Sequence, residues 1–123
     1  MATYTKLPLS GSDNGRNIVV GVTATPGTTI HTATSSTGAQ GMDEIYIWAG
    51  STHTATVNLG ITFGGGNNVQ DQISVRIPAE YNGPVLVVPG LVLQNGYVVT
   101  ATASVGFKVN LSGFVNRISL QSS

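Results

Sequence analysis

Two histidines stand in near-identical words, Thr29-Ile30-His31-Thr32-Ala33-Thr34 and Ser51-Thr52-His53-Thr54-Ala55-Thr56. If the strands carrying them paired, the two imidazoles would form half of a metal site. A stable site wants three or four ligands, and no carboxylate stands beside either histidine. The ordinary reading is a pair of strand-end or loop histidines, and because the flanks differ the shared word is a Thr-rich coincidence. Asp43-Glu44 are adjacent carboxylates, the raw material of acid–base chemistry or a calcium site. Consecutive strand residues point to opposite faces, so they read as a solvated strand start. Gly64-Gly65-Gly66 suggests a phosphate loop, yet no helix follows and the Lys-Ser/Thr ending is missing, which leaves a hairpin tip. No Ser-His-Asp order stands out, and Asp13, Asp43, Glu44, Asp71 and Glu80 occupy no recognisable hydrolase frame. With no cysteine in the chain, thiolate catalysis and Cys-based zinc sites drop out as well. The sequence reads as that of a non-enzyme, with no catalytic, cofactor-binding or metal-ligating residue to name.

What remains is surface chemistry. Five Lys plus Arg face five Asp plus Glu among 123 residues, 8% charged, where an ordinary soluble domain carries about 25%. Zero formal net charge supplies no phosphate-neutralising excess, so no nucleic-acid partner is expected. No apolar run approaches the roughly 20 residues of a membrane helix, and the opening Met-Ala-Thr-Tyr-Thr-Lys-Leu-Pro lacks the apolar stretch of a secretory signal. A neutral surface of Thr, Ser, Asn and Gly favours association and suits a subunit held among other subunits.

The elements that position these residues read as strands. Sixteen Gly and five Pro punctuate segments rich in β-branched residues, and no window carries the apolar stripe of a helix. Strands are expected at Thr3–Leu9, Ile18–Thr23, Thr28–Thr32, Glu44–Ala49, Thr56–Phe63, Gln72–Ile77, Val85–Val88, Tyr97–Ala103 and Phe107–Arg117. Alternation is clean at Val57, Leu59, Ile61 and Phe63, at Ile73, Val75 and Ile77, and at Phe107, Val109, Leu111, Gly113 and Val115. Turn words fall at Ser12-Asp13-Asn14-Gly15, Thr25-Pro26-Gly27, Gly64 to Asn68, Asn82-Gly83-Pro84, Pro89-Gly90 and Asn95-Gly96, the last being the strongest hairpin signal. Many short strands at this spacing indicate an all-β, single-domain β-sandwich, jelly-roll-like, with an SH3-like or OB barrel as the lesser alternative.

Ile45-Tyr46-Ile47-Trp48 is apolar on both faces, as in a central strand covered twice. Either Ile45 and Ile47 face the core and leave Tyr46 and Trp48 for an oligomer contact, or the aromatics face inward. Tyr46, Trp48, Tyr81 and Tyr97 would alternatively serve as a sugar- or base-stacking platform. Residues 1–16 read as an N-terminal arm ahead of a sandwich at 17–123: Pro8 lacks an N–H and Ser10 to Gly15 is a polar turn. An edge strand is the competing reading of the same segment. Lys6, Leu7, Leu9, Arg16, Tyr46 and Trp48 are the candidate interaction residues.

Five stretches go further together: Tyr4-Thr5-Lys6-Leu7 leading into Leu9 to Arg16, Thr28 to Ala33, Asp43 to Ala49, Val85 to Leu93, and Gly113-Phe114-Val115-Asn116-Arg117-Ile118. Across nearly the whole chain they resemble small structural proteins of tailed bacteriophages, of the head decoration or cement type. The resemblance implies a jelly-roll or sandwich subunit, commonly trimeric, on the outer capsid surface of the virion, where it contacts the major capsid protein and stabilises the shell. A tail-tip or fibre carbohydrate- or receptor-binding module is the alternative, and a hydrolase the distant third. The resemblance carries over no site residue.

Overall fold

The computed structural model describes residues 2–23, 27–64, 72–79 and 84–120. Among them run nine strands: β1 (Ala2–Pro8), β2 (Ile18–Val19), β3 (Thr28–Thr32), β4 (Gly41–Ser51), β5 (Val57–Phe63), β6 (Gln72–Ile77), β7 (Val85–Leu93), β8 (Val98–Ala103) and β9 (Val109–Leu120). One sheet has the order β1-β9-β4-β7, with β2 also on β9, and the other has the order β3-β8-β5-β6. Apart from β5 and β6, each strand from β2 onward is followed by one in the opposite sheet, which is the interleaved Greek-key order of a jelly roll. Both sheets are antiparallel.

The core lies between the sheets and is built from the expected alternations. Ile45, Ile47, Ala49, Leu111 and Val115 of the first sheet meet Val57, Leu59, Ile61, Ile77 and Val99 of the second, all buried. Each large aliphatic side chain enclosed there contributes roughly 1.5–3 kcal/mol relative to exposure. Gly113 stands in the inward row of β9, where a Cβ would strike the carbonyl oxygen of Tyr46 and the Ile47 Cα. Glycine at that point lets the two central strands approach closely.

Departures from the sequence reading have local causes. The expected strand Ile18–Thr23 is only Ile18–Val19. The stop placed at Pro89-Gly90 is a bulge instead: β7 runs on to Leu93 while its pairing with β4 skips Gly90, whose φ is +90°. β7 is the edge strand of its sheet among the described residues, a position where a proline is tolerated. Asn95 and Gly96 adopt the positive φ of a tight turn, 63° and 66°, but join β7 to β8 in the opposite sheet, so no hairpin forms. Phe107 is not an inward strand residue: it is 74% exposed, with φ 62°, in the turn before β9. The turn words at Thr25-Pro26, Gly65 to Asn68 and Asn82-Gly83, with Asp71, Glu80 and Tyr81, lie outside the described residues.

Residues 2–8, set apart above as part of an arm, form an edge strand paired with β9 from Ala2↔Leu120 to Pro8↔Phe114. This is the competing reading of that segment. The chain then leaves the edge, buries Leu9, and returns to it at β2, opposite Leu111 and Asn110.

Candidate functional site

Strands β4 and β9 carry unusual chemistry on both of their faces. On the inner face, Asp43 is fully buried. Its Oδ1 accepts from Arg117 Nε at 2.8 Å and its Oδ2 from Arg117 Nη2 at 2.9 Å. The same Oδ2 bonds His31 Nε2 at 2.8 Å and accepts from the Thr34 N–H at 3.1 Å. His31 is 1% exposed, and its Nδ1 accepts from the Ser10 N–H at 3.0 Å. A main-chain N–H can only donate, so Nε2 carries the imidazole proton and gives it to Asp43. Burial alone would raise the Asp43 pKa; the hydrogen bonds from Arg117 and His31 and the positive charge of Arg117 outweigh it and hold the carboxyl below its usual range. Arg117 is shifted upward in turn by its bond to that carboxylate.

A bulge makes this possible. The β3–β8 register jumps between Thr29 and His31, so the consecutive residues Ile30 and His31 are both buried. Asp43 is therefore no solvated strand start, and His31 is no loose strand-end histidine without a carboxylate. The pair has the look of two thirds of a catalytic relay. Its free nitrogen, however, is taken by a backbone amide, and no substrate reaches a ring this enclosed. The arrangement is a clamp joining the end of β1 to β3, β4 and β9. His53 lies after β4, half-buried, its backbone N–H donating to Ser51 Oγ. Among the described residues no three potential metal-ligating side chains of His, Cys, Asp or Glu converge.

On the outer face of the same strands stands an aromatic row. Phe114 is paired in register with Tyr46 on one side and Pro8 on the other. The Tyr46 and Phe114 rings lie 5.0 Å apart at 21°, and Trp48 and Phe114 lie 6.0 Å apart at 29°. Lys6 Nζ sits 4.5 Å from the Phe114 centroid. Near-parallel rings at 5.0 Å cannot lie side by side in one plane; they stack face to face with an offset. Tyr46 covers Phe114 from the β4 side and Lys6 from the β1 side. Tyr46 itself lies against Gly90, where a Cβ would come within 3.2–3.4 Å of its Oη, Cζ and Cε1. One row along, Glu44 Oε1 accepts from Tyr46 Oη at 3.0 Å and from Asn116 Nδ2 at 3.2 Å. That bond to Glu44, followed by partial burial, pushes the Tyr46 phenol up from its ordinary value. Tyr4, Leu86 and Val92, at 72%, 45% and 50% exposure, extend the apolar surface toward the sheet edges.

Of the six candidate interaction residues, the fold gathers Lys6, Tyr46 and Trp48 here. Leu7 packs on the core, and Leu9 is 1% exposed, out of reach of any partner. Arg16 is apart from the row, 3.7 Å from Asp13 beside a groove lined by Asn17, Val19 and Asn110. Of the two arrangements open to Trp48, Ile45 and Ile47 take the core and the indole is half-buried outside. Sequence reasoning missed Phe114, the hub of the row, although an apolar residue out of phase with Val109, Leu111 and Val115 was the available signal. It also missed Arg117, whose partner is 74 positions away. No family model, curated protein or solved structure matches the chain.

Proposed function

We propose that this chain is a structural subunit of a tailed-phage virion, a head decoration protein that docks through the outer face of the β1-β9-β4-β7 sheet and works as an oligomer, most simply a trimer, on the major capsid protein. The observation that carries the docking surface is the aromatic row: an apolar stripe on a sheet face where an antiparallel sandwich ordinarily presents polar side chains to water. The near absence of charge elsewhere supports a subunit that spends its life against other subunits. The placement on a phage head rests on the sequence resemblance. Several weak contacts made at once by an oligomer would sum to firm attachment.

The geometry weighs against the tail-module alternative. A sugar stacks on a free ring face, and here Phe114 already carries Tyr46, Trp48 and Lys6 against its ring, while Tyr46 is backed by Gly90. Purified particles decide the matter. Copy number comparable to the major capsid protein, lost on Phe114→Ala, is expected; a handful of copies per particle, or binding indifferent to Phe114→Ala, would sink the proposal.

A further inference from the structure

Strand β1 receives little from its own domain. Among the described residues it pairs with β9 alone, and Thr3, Tyr4, Thr5, Lys6 and Pro8 are all exposed. Thr3 and Thr5 share the inward row with Leu7, yet only Leu7 packs on the core. The strand is held by its ladder to β9, by Leu7 on the core and by the Lys6–Phe114 contact.

The residues that follow are held far more firmly. Leu9 is buried, the Ser10 N–H donates to His31, and Ser10 Oγ accepts from the Thr32 N–H at 2.7 Å. Gly11 N–H donates to Ile30 O at 2.9 Å. A Cβ on Gly11 would come within 2.6 Å of two carbonyl oxygens of β3. The segment from Leu9 to Gly11 is thus welded to β3 through the clamp. The boundary between the loosely and the firmly held chain falls at Pro8–Leu9. Seven residues beyond it span about 24 Å when extended.

We infer that β1 is an exchangeable strand: pivoting at Pro8–Leu9, residues 2–8 pair with β9 of a second copy of this chain, whose own β1 passes onward until the ring closes. Only another copy presents the same partner, a β9 edge that accepts Pro8 opposite Phe114 and an upturned Phe114 ring beneath Lys6. Every ladder bond lost in the closed form is remade in the exchanged one, so the exchange costs little in contacts. This inference concerns copies of the chain and stands whether or not the docking partner is a capsid.

The absence of cysteine allows a clean test. Thr3 is opposite Ser119 and Tyr4 opposite Ile118, and neighbouring antiparallel pairs alternate in spacing, so at least one suits a disulfide. Thr3→Cys/Ser119→Cys and Tyr4→Cys/Ile118→Cys chains would be oxidised as native protein and separated on non-reducing gels. Exchange yields disulfide-linked multiples of the chain, and separately tagged Thr3→Cys and Ser119→Cys copies link to each other. The inference is overturned if the oxidised product of both pairs is a single chain closed on itself. It is overturned equally if Thr3→Cys links as readily to Ser104→Cys, an exposed turn residue outside the ladder, because that reports collision.

Discussion

Strand β4 breaks the usual division of side chains twice, once on each face: Asp43 puts a charge where the core should be, and Tyr46 and Trp48 put rings where water should be. The inner exception is closed. Arg117, His31 and Thr34 all hydrogen-bond to Asp43, and among the described residues no buried side-chain polar atom lacks a hydrogen-bond partner. The outer exception is open, half-buried and edged by exposed Tyr4, Leu86 and Val92. A closed polar site inside a core specifies which strands meet, whereas an open apolar row outside is unfinished without a partner.

The largest test strikes the closed site. Asp43→Ala leaves the Arg117 guanidinium without its bidentate acceptor and strips His31 of its Nε2 partner. Breaking one side of a buried pair costs about 3–5 kcal/mol, which urea unfolding would register as a large drop in midpoint. A loss under about 1 kcal/mol, the range of an exposed pair, would mean that water already reaches the clamp and that the two faces do not differ in kind.

Acid gives a second, graded version. Asp43 is held below its ordinary value of 3.8 in the fold, so the unfolded chain takes up a proton that the native chain refuses. Its contribution is complete above the ordinary carboxylate range and is lost as pH falls below about 4 toward the folded value. Unfolding free energy measured against pH should slope downward in that acid window and flatten there in Asp43→Asn. An identical slope in the variant would remove Asp43 as its source.

The two faces also differ in how much of them a reader of the sequence could foresee. The sandwich, most of its strands and the core rows were legible because alternation is local: Val57, Leu59, Ile61 and Phe63 announce their face by spacing alone. Alternation likewise put Tyr46 and Trp48 together on one face, but with Ile45 and Ile47 equally apolar it did not say which face was the core. The clamp was illegible for a physical reason. Alternation places Asp43 and Glu44 on opposite faces without saying which is wet, and the β3 bulge that buries His31 beside Ile30 has no signature in Thr-Thr-Ile-His-Thr. Arg117 meets Asp43 only through the β4–β9 register, a pairing of distant segments. The edge position of β1 was left open because Pro8 is compatible with both an arm and an edge strand.

Phe114→Ala tests the open face. A fully enclosed Phe→Ala change costs about 3–5 kcal/mol; Phe114 is half-buried, so about 2 kcal/mol is expected by thermal or urea unfolding. Assembly should suffer more than folding does, since Trp48, Tyr46 and Lys6 lose their shared neighbour. The matched control sits on the other sheet, where Thr62 occupies the polar outer row of β5: Thr62→Ala should stay within about 0.5 kcal/mol and leave assembly intact. Equal effects of the two changes on assembly would erase the distinction between the sheets.

The smallest expected effect belongs to Lys6, and it bears on both the open face and the loose strand. An ammonium over an exposed ring is worth roughly 0.5–1 kcal/mol, so Lys6→Ala should lower stability by no more than that. Lys6→Arg, which keeps a cation able to lie on the ring, should restore most of it. The strand would still hold its ladder, because no β1 bond to β9 depends on that side chain. The effect on assembly should exceed the effect on folding if Lys6 of one copy rests on Phe114 of the next. A loss of 2 kcal/mol or more in the isolated fold would show instead that Lys6 staples β1 to its own domain. In that case β1 would belong with the clamp, to the closed part of the molecule, and the boundary at Pro8–Leu9 would have no mechanical meaning.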